Sequence, residues 1–245
     1  MGILARKPEY KANLIQNWIK EKVEKAGASG AVLGLSGGVD SSVLAVLLKR
    51  VFGAKMLALI MPCHSNPEDL IHAKLLSEKF DIPDYVLDMT RIYDDYMREA
   101  SKLCEISELA KANTKSRLRM TALYAVGQTK NYLVCGASNK SELMTGYFTK
   151  YGDSGSDLLP VADLLKYEIF ELAEYLDIPK EIMVKPPSAG LWSGQTDEDE
   201  MGLSYSVIDR FIETGEADAA AANKINLMNA LSAHKRTTPP ICMID

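Results

Sequence analysis

The feature that most constrains the fold is the alternation of short apolar runs with longer helix-like segments. The runs AVLGLS, KMLALIMP, DYVLDM and NYLVCGA have the length and apolar character of buried parallel strands. Segments with helical periodicity lie around them: from about Pro8 to Ala26, in SSVLAVLLKRVFG and PEDLIHAKLLSEKF, and from about Thr90 to Lys130 with a break near Thr114. This alternation predicts an α/β protein, a doubly wound, mostly parallel sheet with helices on both faces.

The carboxyl ends of the four runs are where a ligand is expected. Ligands of parallel sheets bind outside the carboxyl ends of the strands, so the residues after Leu35, Ile60, Leu87 and Val134 should line one crevice. Beyond the fourth run, TGYFTKYGDSGSDLLP and KPPSAGLWSGQTDEDEMG lack any helical or strand period and predict two loops. Further helices are expected at about 163–176, 205–213 and 217–233.

The composition is that of an ordinary globular chain, and we expect a single domain over residues 1–245. A net charge of -5 and a pI near 5.4 give no electrostatic basis for a nucleic-acid partner. The longest apolar stretch is too short for a bilayer and the N-terminus lacks a signal pattern, so no membrane partner and a cytoplasmic location are expected. The four cysteines form no C-x-x-C pair and predict neither a metal site nor disulfides.

The string GLSGGVDSS, from Gly34 to Ser42, follows the first predicted strand and fits two chemistries. As G-x-S-x-G it matches the nucleophile elbow of α/β hydrolases, in which a strained turn exposes the serine. As a glycine-rich turn before a helix, it leaves backbone N–H groups free to converge on an anion. The elbow needs an oxyanion loop from an earlier strand, and AVLGLS is the first recognisable strand, so anion binding is favoured.

The expected anion is a nucleotide phosphate held together with a metal ion. A Walker A loop needs a lysine after its glycines and a dinucleotide fingerprint needs G-x-G-x-x-G, and this string has neither. Asp40 instead places a carboxylate beside the anion, which suits a Mg²⁺ ion shared between carboxylate and phosphate oxygens. A tight glycine turn without a ligand is the structural alternative.

SGGVDSS after a first strand resembles the PP-loop of the adenine nucleotide alpha hydrolase-like ATP pyrophosphatases. The later blocks KSRLRMTALYAVGQ, NKSELMTGYFTKYGDSGSD, LLPVADLLK, KPPSAGL, QTDEDEMG and AHKR, in this order and spacing, closely resemble the NH3-dependent NAD synthetases. The resemblance runs from about Leu14 to the tail, and GYFTKYGD is its most specific block.

The resemblance implies roles for residues at matching positions, first for ATP. The loop residues that would hold its phosphates are Gly34, Leu35, Ser36, Gly37, Gly38, Val39, Asp40 and Ser41. Asp40 and Glu142 would bind Mg²⁺, Lys166 and Ser188 would contact ATP, and Ala137 would offer a backbone contact. By itself, Glu142 reads as a solvated helix carboxylate and Lys166 as a first-turn lysine.

The same resemblance implies a site for a second substrate, deamido-NAD. Its binding residues would be Arg117, Lys150, Asp157, His234 and Lys235. The residues that would carry the chemistry are Asp40, Glu142, Lys150 and Asp153. Asp153 or Asp157 would take the proton that ammonium must lose. Two positions depart from the family pattern, since Ala137 stands where threonine is usual and Ser154 where glycine is common.

The implied reaction is the amidation of deamido-NAD by ammonia, with ATP and Mg²⁺, to give NAD, AMP and pyrophosphate through an acyl adenylate. A glutamine-dependent relative carries an additional amidase domain, for which this chain has no room, so free ammonia is the expected donor. A homodimer is expected, with His234 and Lys235 reaching across its interface. The alternatives are another PP-loop ATP pyrophosphatase, GMP synthetase-like or tRNA-modifying, and an ATP-binding sensor without turnover.

Overall fold

The computed structural model describes residues 7–188 and 196–244, and these residues contain a four-stranded parallel sheet. Its strands are β1 (Gly30–Gly34), β2 (Met56–Ile60), β3 (Asp84–Val86) and β4 (Tyr132–Val134), in the spatial order β3-β2-β1-β4. Val32 of β1 lies opposite Leu57 on one side and Val134 on the other. The predicted strands are confirmed. The chain builds the sheet outward from β1 to β3 and then returns to place β4 on the other side of β1, and parallel sheets bind ligands at such a switch point.

Helices cover both faces of the sheet, as the alternation predicts. In chain order they are α1 (Pro8–Lys25), α2 (Val39–Phe52), α3 (Pro67–Phe80), α4 (Thr90–Ala100), α5 (Glu108–Lys130), α6 (Lys140–Thr145), α7 (Lys166–Tyr175), α8 (Lys180–Met183), α9 (Asp197–Met201), α10 (Tyr205–Thr214) and α11 (Ala219–Leu231). Because successive strand residues point to opposite faces, Ala31 and Leu33 pack in a core with α1, α2 and α7, while Val32 packs in a second core with α4 and α5.

Two details of the predicted secondary structure are wrong. The break in the long helical zone lies at 101–107, between α4 and α5, and not near Thr114. Thr114 is accommodated because its hydroxyl donates to the Ala110 carbonyl at 2.8 Å, whereas Ser107 caps α5 by accepting from Ala110 N–H at 3.3 Å. The second predicted loop contains α9, which Thr196 caps through the Asp199 N–H; its residues 189–195 lie outside the described part of the chain.

The first predicted loop is confirmed, and it runs along the outer edge of β4. Between α6 and α7 it forms turns, and Leu158 makes a parallel bridge to Cys135 just beyond the end of β4. The loop thereby reaches the carboxyl end of the sheet. The segment that joins β1 to α2 begins at the same end. Within the described residues, no helix combines the length and the apolar character needed to cross a membrane.

Candidate active site

The segment from Gly34 to Ser42 joins β1 to α2 as a tight loop. Gly37 has a φ of +79°, and a Cβ there would lie 2.3 Å from the Asp69 carbonyl oxygen, so a side chain is excluded on both counts. The side chains of Leu35 and Val39 are buried, 1% and 5% exposed, and leave only their backbone groups for a ligand. Glycine is therefore required at position 37, because Asp69 of α3 packs directly against the loop there.

Two serine hydroxyls organise the inside of this loop. Ser36 Oγ lies 2.9 Å from Ser41 Oγ and accepts a 3.2 Å hydrogen bond from the Gly38 N–H. The Ser36 N–H in turn donates to Ser41 Oγ at 3.2 Å. Backbone N–H groups and hydroxyls therefore converge at the start of a 14-residue helix, whose partial positive charge favours an anion.

Asp40 lies in the first turn of α2 and meets two residues that are distant in the sequence. Its Oδ2 accepts a 2.6 Å hydrogen bond from Lys166 Nζ, and its Oδ1 accepts one of 2.9 Å from Asn139 Nδ2. Lys166 is only 2% exposed. Burial lowers the pKa of Lys166, but the charges of Asp40 and Glu142 raise it more, so its pKa lies above the ordinary value and the ammonium group stays protonated.

Glu142, the second predicted metal ligand, faces the same ammonium group, with Oε1 3.8 Å from Lys166 Nζ. Its other oxygen accepts from the Asn139 N–H at 3.2 Å while the Asn139 side chain accepts from the Glu142 N–H at 2.9 Å, a capping box that begins α6. The Glu142 side chain is 16% exposed. Burial, followed by the negative charge of Asp40, raises its pKa well above the usual range, so the carboxyl group favours its protonated form unless a cation lies beside it.

A single buried carboxylate holds the beginnings of the two helices that carry Glu142 and Lys166. Asp209 of α10 accepts a short hydrogen bond from Ser141 Oγ and a 2.9 Å hydrogen bond from the Tyr167 N–H. Ser141 Oγ also accepts from the Lys166 N–H at 3.1 Å. The relative position of the two charged side chains is thus set by a residue on a third helix.

Asp197 of α9 is a further buried carboxylate beside this cluster, 4% exposed. Its Oδ2 accepts from the Tyr205 hydroxyl at 3.0 Å, and the Tyr205 ring lies over the ammonium group of Lys166, 4.8 Å from it. Its Oδ1 has no hydrogen-bond partner within the described residues. Burial raises the pKa of Asp197, and the charge of Lys166 opposes that rise.

The residues predicted to bind the second substrate gather around the turn that follows α6. Arg117 Nε of α5 donates to the Lys150 carbonyl at 3.2 Å, and Lys150 Nζ donates to the His234 carbonyl at 2.5 Å. Lys235 Nζ donates to the carbonyls of Gly146 and Phe148 of its own chain, each at 2.8 Å. A groove of about 540 Å³ opens beside this turn, with Arg117 in its lining. The structure therefore brings Arg117, Lys150, His234 and Lys235 together, and their role in binding a substrate stays a prediction.

The two predicted proton acceptors are both engaged in holding local structure. Asp153 Oδ1 accepts from Ser116 Oγ at 2.8 Å and from the Thr149 N–H at 3.0 Å. Asp157 accepts from the Tyr124 hydroxyl at 2.9 Å and, through its other oxygen, from the Val134 N–H at 2.8 Å. Each carboxylate therefore stabilises the loop after β4 in the structure.

The remaining predicted positions lie around the same crevice. Ala137 follows β4, and its side chain packs against the core. Only its backbone groups are therefore available to contact a nucleotide. Ser188 is exposed and directly precedes residues 189–195. Ser154 Oγ donates to the Thr149 carbonyl at 3.0 Å, so serine replaces glycine here as part of the turn.

Sequence reasoning missed four residues that build the site: Asn139, Asp197, Tyr205 and Asp209. The spacing of Asn139 and Glu142 is that of a capping box and could have predicted the start of α6. The other three residues carry no local signal. Their contacts with residues 140–167 arise because α10 folds back onto α6 and α7, and because α9 contacts Tyr147 just after α6.

The parallel sheet, the glycine-rich loop and the buried cluster of Asp40, Glu142 and Lys166 together define a nucleotide-using α/β enzyme of the PP-loop type. Residues 11–239 match the family model described as NAD synthase. The chain belongs to the NAD synthase family and is an enzyme of the ligase class.

Several proteins of known name or structure are similar over almost the whole chain. The NH(3)-dependent NAD(+) synthetase of Syntrophomonas wolfei is 48% identical over 97% of this chain and 97% of its own. The NMN synthetase of Francisella tularensis superposes with a TM-score of 0.93 at 38% identity, covering 97% of this chain and 99% of that one. The NH3-dependent NAD synthetase of Campylobacter jejuni has a TM-score of 0.81 at 30% identity, covering 97% and 99%.

Proposed function

We propose that the protein joins ammonia to the nicotinate carboxylate of deamido-NAD, using ATP and giving NAD, AMP and pyrophosphate. The observation that carries this proposal is the meeting of Asp40, Glu142 and Lys166 beside an anion-binding loop. A loop that holds phosphates next to acidic metal-binding side chains suits the cleavage of ATP at its α-phosphorus. The relative from Syntrophomonas wolfei, named for this activity, supports it.

A carboxylate is a poor electrophile, so the reaction has two steps. The nicotinate carboxylate attacks the α-phosphorus of ATP, and the P–O bond to pyrophosphate breaks with its electron pair on the departing group. The ammonia lone pair then forms the C–N bond, and the C–O bond to AMP breaks with its electrons on the phosphate oxygen. Between ammonium and the finished amide, nitrogen releases two protons to solvent.

The protein's part is to position the substrates and to neutralise charge, since neither step needs a protein nucleophile. We assign the ATP phosphates to the loop from Gly34 to Ser41 and to the Lys166 ammonium group, which is buried and protonated. Ala137 and Ser188 would line the nucleotide from the segments that follow β4 and α8. Holding the two reacting groups in line contributes on the order of 7–11 kcal/mol in well-oriented reactions.

Mg²⁺ fits this site by the chemistry of the donors. Asp40 and Glu142 both direct carboxylate oxygens at the Lys166 ammonium group, and these two side chains would be the protein ligands of the ion. Within residues 7–188 and 196–244, no three His, Cys, Asp or Glu side chains are placed to hold a metal by themselves. The remaining ligands would be phosphate oxygens and water, the usual environment of Mg²⁺. When bound, the ion would neutralise charge on the departing pyrophosphate.

We assign the second substrate to the groove beside the turn after α6. Arg117 and Tyr151 line it, and Lys150 and Asp157 lie next to it. A second candidate substrate is nicotinate mononucleotide, because the NMN synthetase of Francisella tularensis superposes with a TM-score of 0.93. The two substrates share the reacting carboxylate and differ in whether an AMP group is attached, so the same site chemistry serves both.

We further infer that ammonia is the direct nitrogen donor, that residues 1–245 form one domain, and that the protein is a cytoplasmic homodimer. The names of the relatives from Syntrophomonas wolfei and Campylobacter jejuni support ammonia. Cys104 and Cys242 are exposed and unpaired, which suits a reducing compartment. The dimer rests on the family resemblance, and sedimentation equilibrium would measure it.

One assay tests the function. The protein is incubated with ATP, Mg²⁺ and deamido-NAD, with either ammonium or glutamine, and NAD, AMP and pyrophosphate are measured. We expect equal amounts of the three products with ammonium and none with glutamine. ADP as the product, or no NAD with ammonium, contradicts the proposal, and ATP binding without any product indicates a sensor. Replacing deamido-NAD with nicotinate mononucleotide identifies the preferred substrate.

A further inference from the structure

Asp197 carries a buried carboxylate oxygen that has no hydrogen-bond partner within the described residues. The residue is 4% exposed, and while its Oδ2 accepts from the Tyr205 hydroxyl at 3.0 Å, its Oδ1 makes no hydrogen bond within the described residues. Buried acceptors are nearly always satisfied, because an unmade hydrogen bond to a charged group is costly. A ligand that arrives during the reaction would satisfy this oxygen.

The charges around Asp197 indicate that this ligand is a cation. The carboxylates of Asp40, Glu142 and Asp197 all act on the Lys166 ammonium group, which is the cation they share in this cluster. Asp40 and Glu142 are the residues assigned to Mg²⁺, which leaves Asp197, among the described residues, as the carboxylate of this cluster without a cation of its own, so a further positive charge is favoured beside it. Tyr205 adds an aromatic face that already lies over one ammonium group at 4.8 Å, and such faces attract cations.

The donor set favours a small hydrogen-bonding cation over a second metal ion. Asp197 offers one buried carboxylate oxygen that is open to a further ligand. The Tyr147 hydroxyl donates to Glu200 at 2.7 Å and lies near enough to influence the Asp197 carboxylate, but Oδ1 is left without a hydrogen bond within the described part of the chain. An ammonium ion is attracted by a carboxylate oxygen and an aromatic face, whereas a second metal ion would require several further oxygen ligands around Asp197.

We propose that Asp197 binds ammonium, the nitrogen donor of the reaction, through its Oδ1, with Tyr205 forming the wall of this subsite. The inference rests on the proposed function, because only an amidation by ammonia requires such a cation. Tyr205 connects the subsite to Lys166, because its hydroxyl donates to Asp197 while its ring lies over the Lys166 ammonium group. Asp197 is therefore a substrate-binding residue, distinct from the metal ligands.

The test compares Asp197→Asn with the wild type and with Asp199→Asn, a control on the same helix whose side chain is exposed. We expect the KM for ammonium to rise about tenfold or more in Asp197→Asn, as for the loss of one charge-assisted hydrogen bond. The KM for ATP and the ATP–pyrophosphate exchange rate without ammonium should stay within about twofold of the wild type, since adenylation precedes the use of nitrogen. The control should match the wild type.

Hydroxylamine separates binding of a cation from a structural role, because it is largely uncharged at neutral pH. Asp197→Asn should use hydroxylamine almost as well as the wild type does. Tyr205→Phe, which keeps the ring over Lys166 and removes the hydroxyl that orders Asp197, should raise the KM for ammonium in the same direction. It serves as the test if the asparagine variant does not fold.

The outcomes distinguish the two proposals. An unchanged KM for ammonium in Asp197→Asn, or an equal loss with ammonium, hydroxylamine and pyrophosphate exchange, overturns the ammonium subsite while the amidation stands. If the wild type makes no amide from ammonium, the proposed function fails, and the subsite fails with it.

Discussion

The Lys166 ammonium group lies 2.6 Å from one oxygen of Asp40, although 126 residues separate the two along the chain. The pair is largely buried, with side-chain exposures of 3% and 18%. A charge pair taken out of water persists only with good geometry and further hydrogen bonds, and here Asn139 and Glu142 complete it. The anion-binding loop and α7 are therefore joined by electrostatics at the point where we place the α-phosphate.

Replacing Asp40 by asparagine should abolish turnover while the fold remains intact. The change removes a metal ligand and the charge opposite Lys166, and groups that stabilise developing charge are worth about 10²–10³ in kcat. The rate of NAD formation measures it, with circular dichroism to monitor the fold. Asp163→Asn, at an exposed position, is the matched control. Near-normal activity of Asp40→Asn would show that the Mg²⁺ assignment is wrong.

Gly37→Ala should damage the loop far more than Gly27→Ala does. Both glycines have positive φ, +79° and +66°, so each substitution costs about 1–2 kcal/mol of stability through the backbone. Only at Gly37 would the new Cβ lie 2.3 Å from the Asp69 carbonyl, while at Gly27 nothing lies within 4 Å. We expect NAD formation to fall on the order of a hundredfold for Gly37→Ala alone, because a displaced loop misplaces ATP. Equal activities would contradict this account.

The raised pKa of Glu142 predicts a pH-dependent stability difference. Below the ordinary glutamate value of 4.5, Glu142 is protonated in both the folded and unfolded protein. Between 4.5 and its higher folded pKa, the folded protein binds more protons than the unfolded one, so stability is lost as the pH rises. Urea unfolding without Mg²⁺ or ATP should therefore show Glu142→Gln gaining stability relative to the wild type from pH 5 to pH 8. A difference independent of pH would refute the prediction.

Asp209→Asn should lower both stability and activity, although Asp209 lies outside the reacting groups. An amide can accept one of the two hydrogen bonds that the carboxylate takes from Ser141 and Tyr167, and its NH₂ group then opposes the other donor. We expect a loss of about 1–3 kcal/mol in the free energy of unfolding. Chemical denaturation measures it, with Asp218→Asn, an exposed helix cap at the start of α11, as the comparison. A larger loss in the control would argue against a special role for Asp209.

The cysteines should divide into two reactive and two protected thiols. Cys104 and Cys242 are exposed, whereas Cys63 and Cys135 are buried. Burial raises the pKa of Cys135 to about 12, so almost no thiolate exists at neutral pH. Titration with a disulfide reagent should therefore count two thiols in the native protein and four in denaturant. Four fast thiols in the native state would mean that the core opens readily.

Much of the fold follows from local pattern. Apolar runs of strand length between helical periods predict a parallel sheet, and all four strands lie where the pattern places them. The helix break was misplaced because Thr114 satisfies its hydroxyl within the helix, so a residue that usually interrupts a helix does not do so here. A residue of low helix propensity can therefore lie inside a helix when its side chain forms a hydrogen bond to a backbone group one turn away.

The candidate site also combines features that follow from the local sequence with features that arise only from the packing of distant segments. The anion-binding loop follows from the sequence, since Ser36 and Ser41 act on neighbours within five positions and Gly37 adopts a positive φ, and Asp40 is identifiable there as a carboxylate beside an anion. Only the tertiary structure decided that Lys166, Asn139 and Asp197 surround that carboxylate, because strand order and helix packing bring together side chains about 100 residues or more apart. Burial of charge depends on those distant neighbours, and no local pattern encodes it.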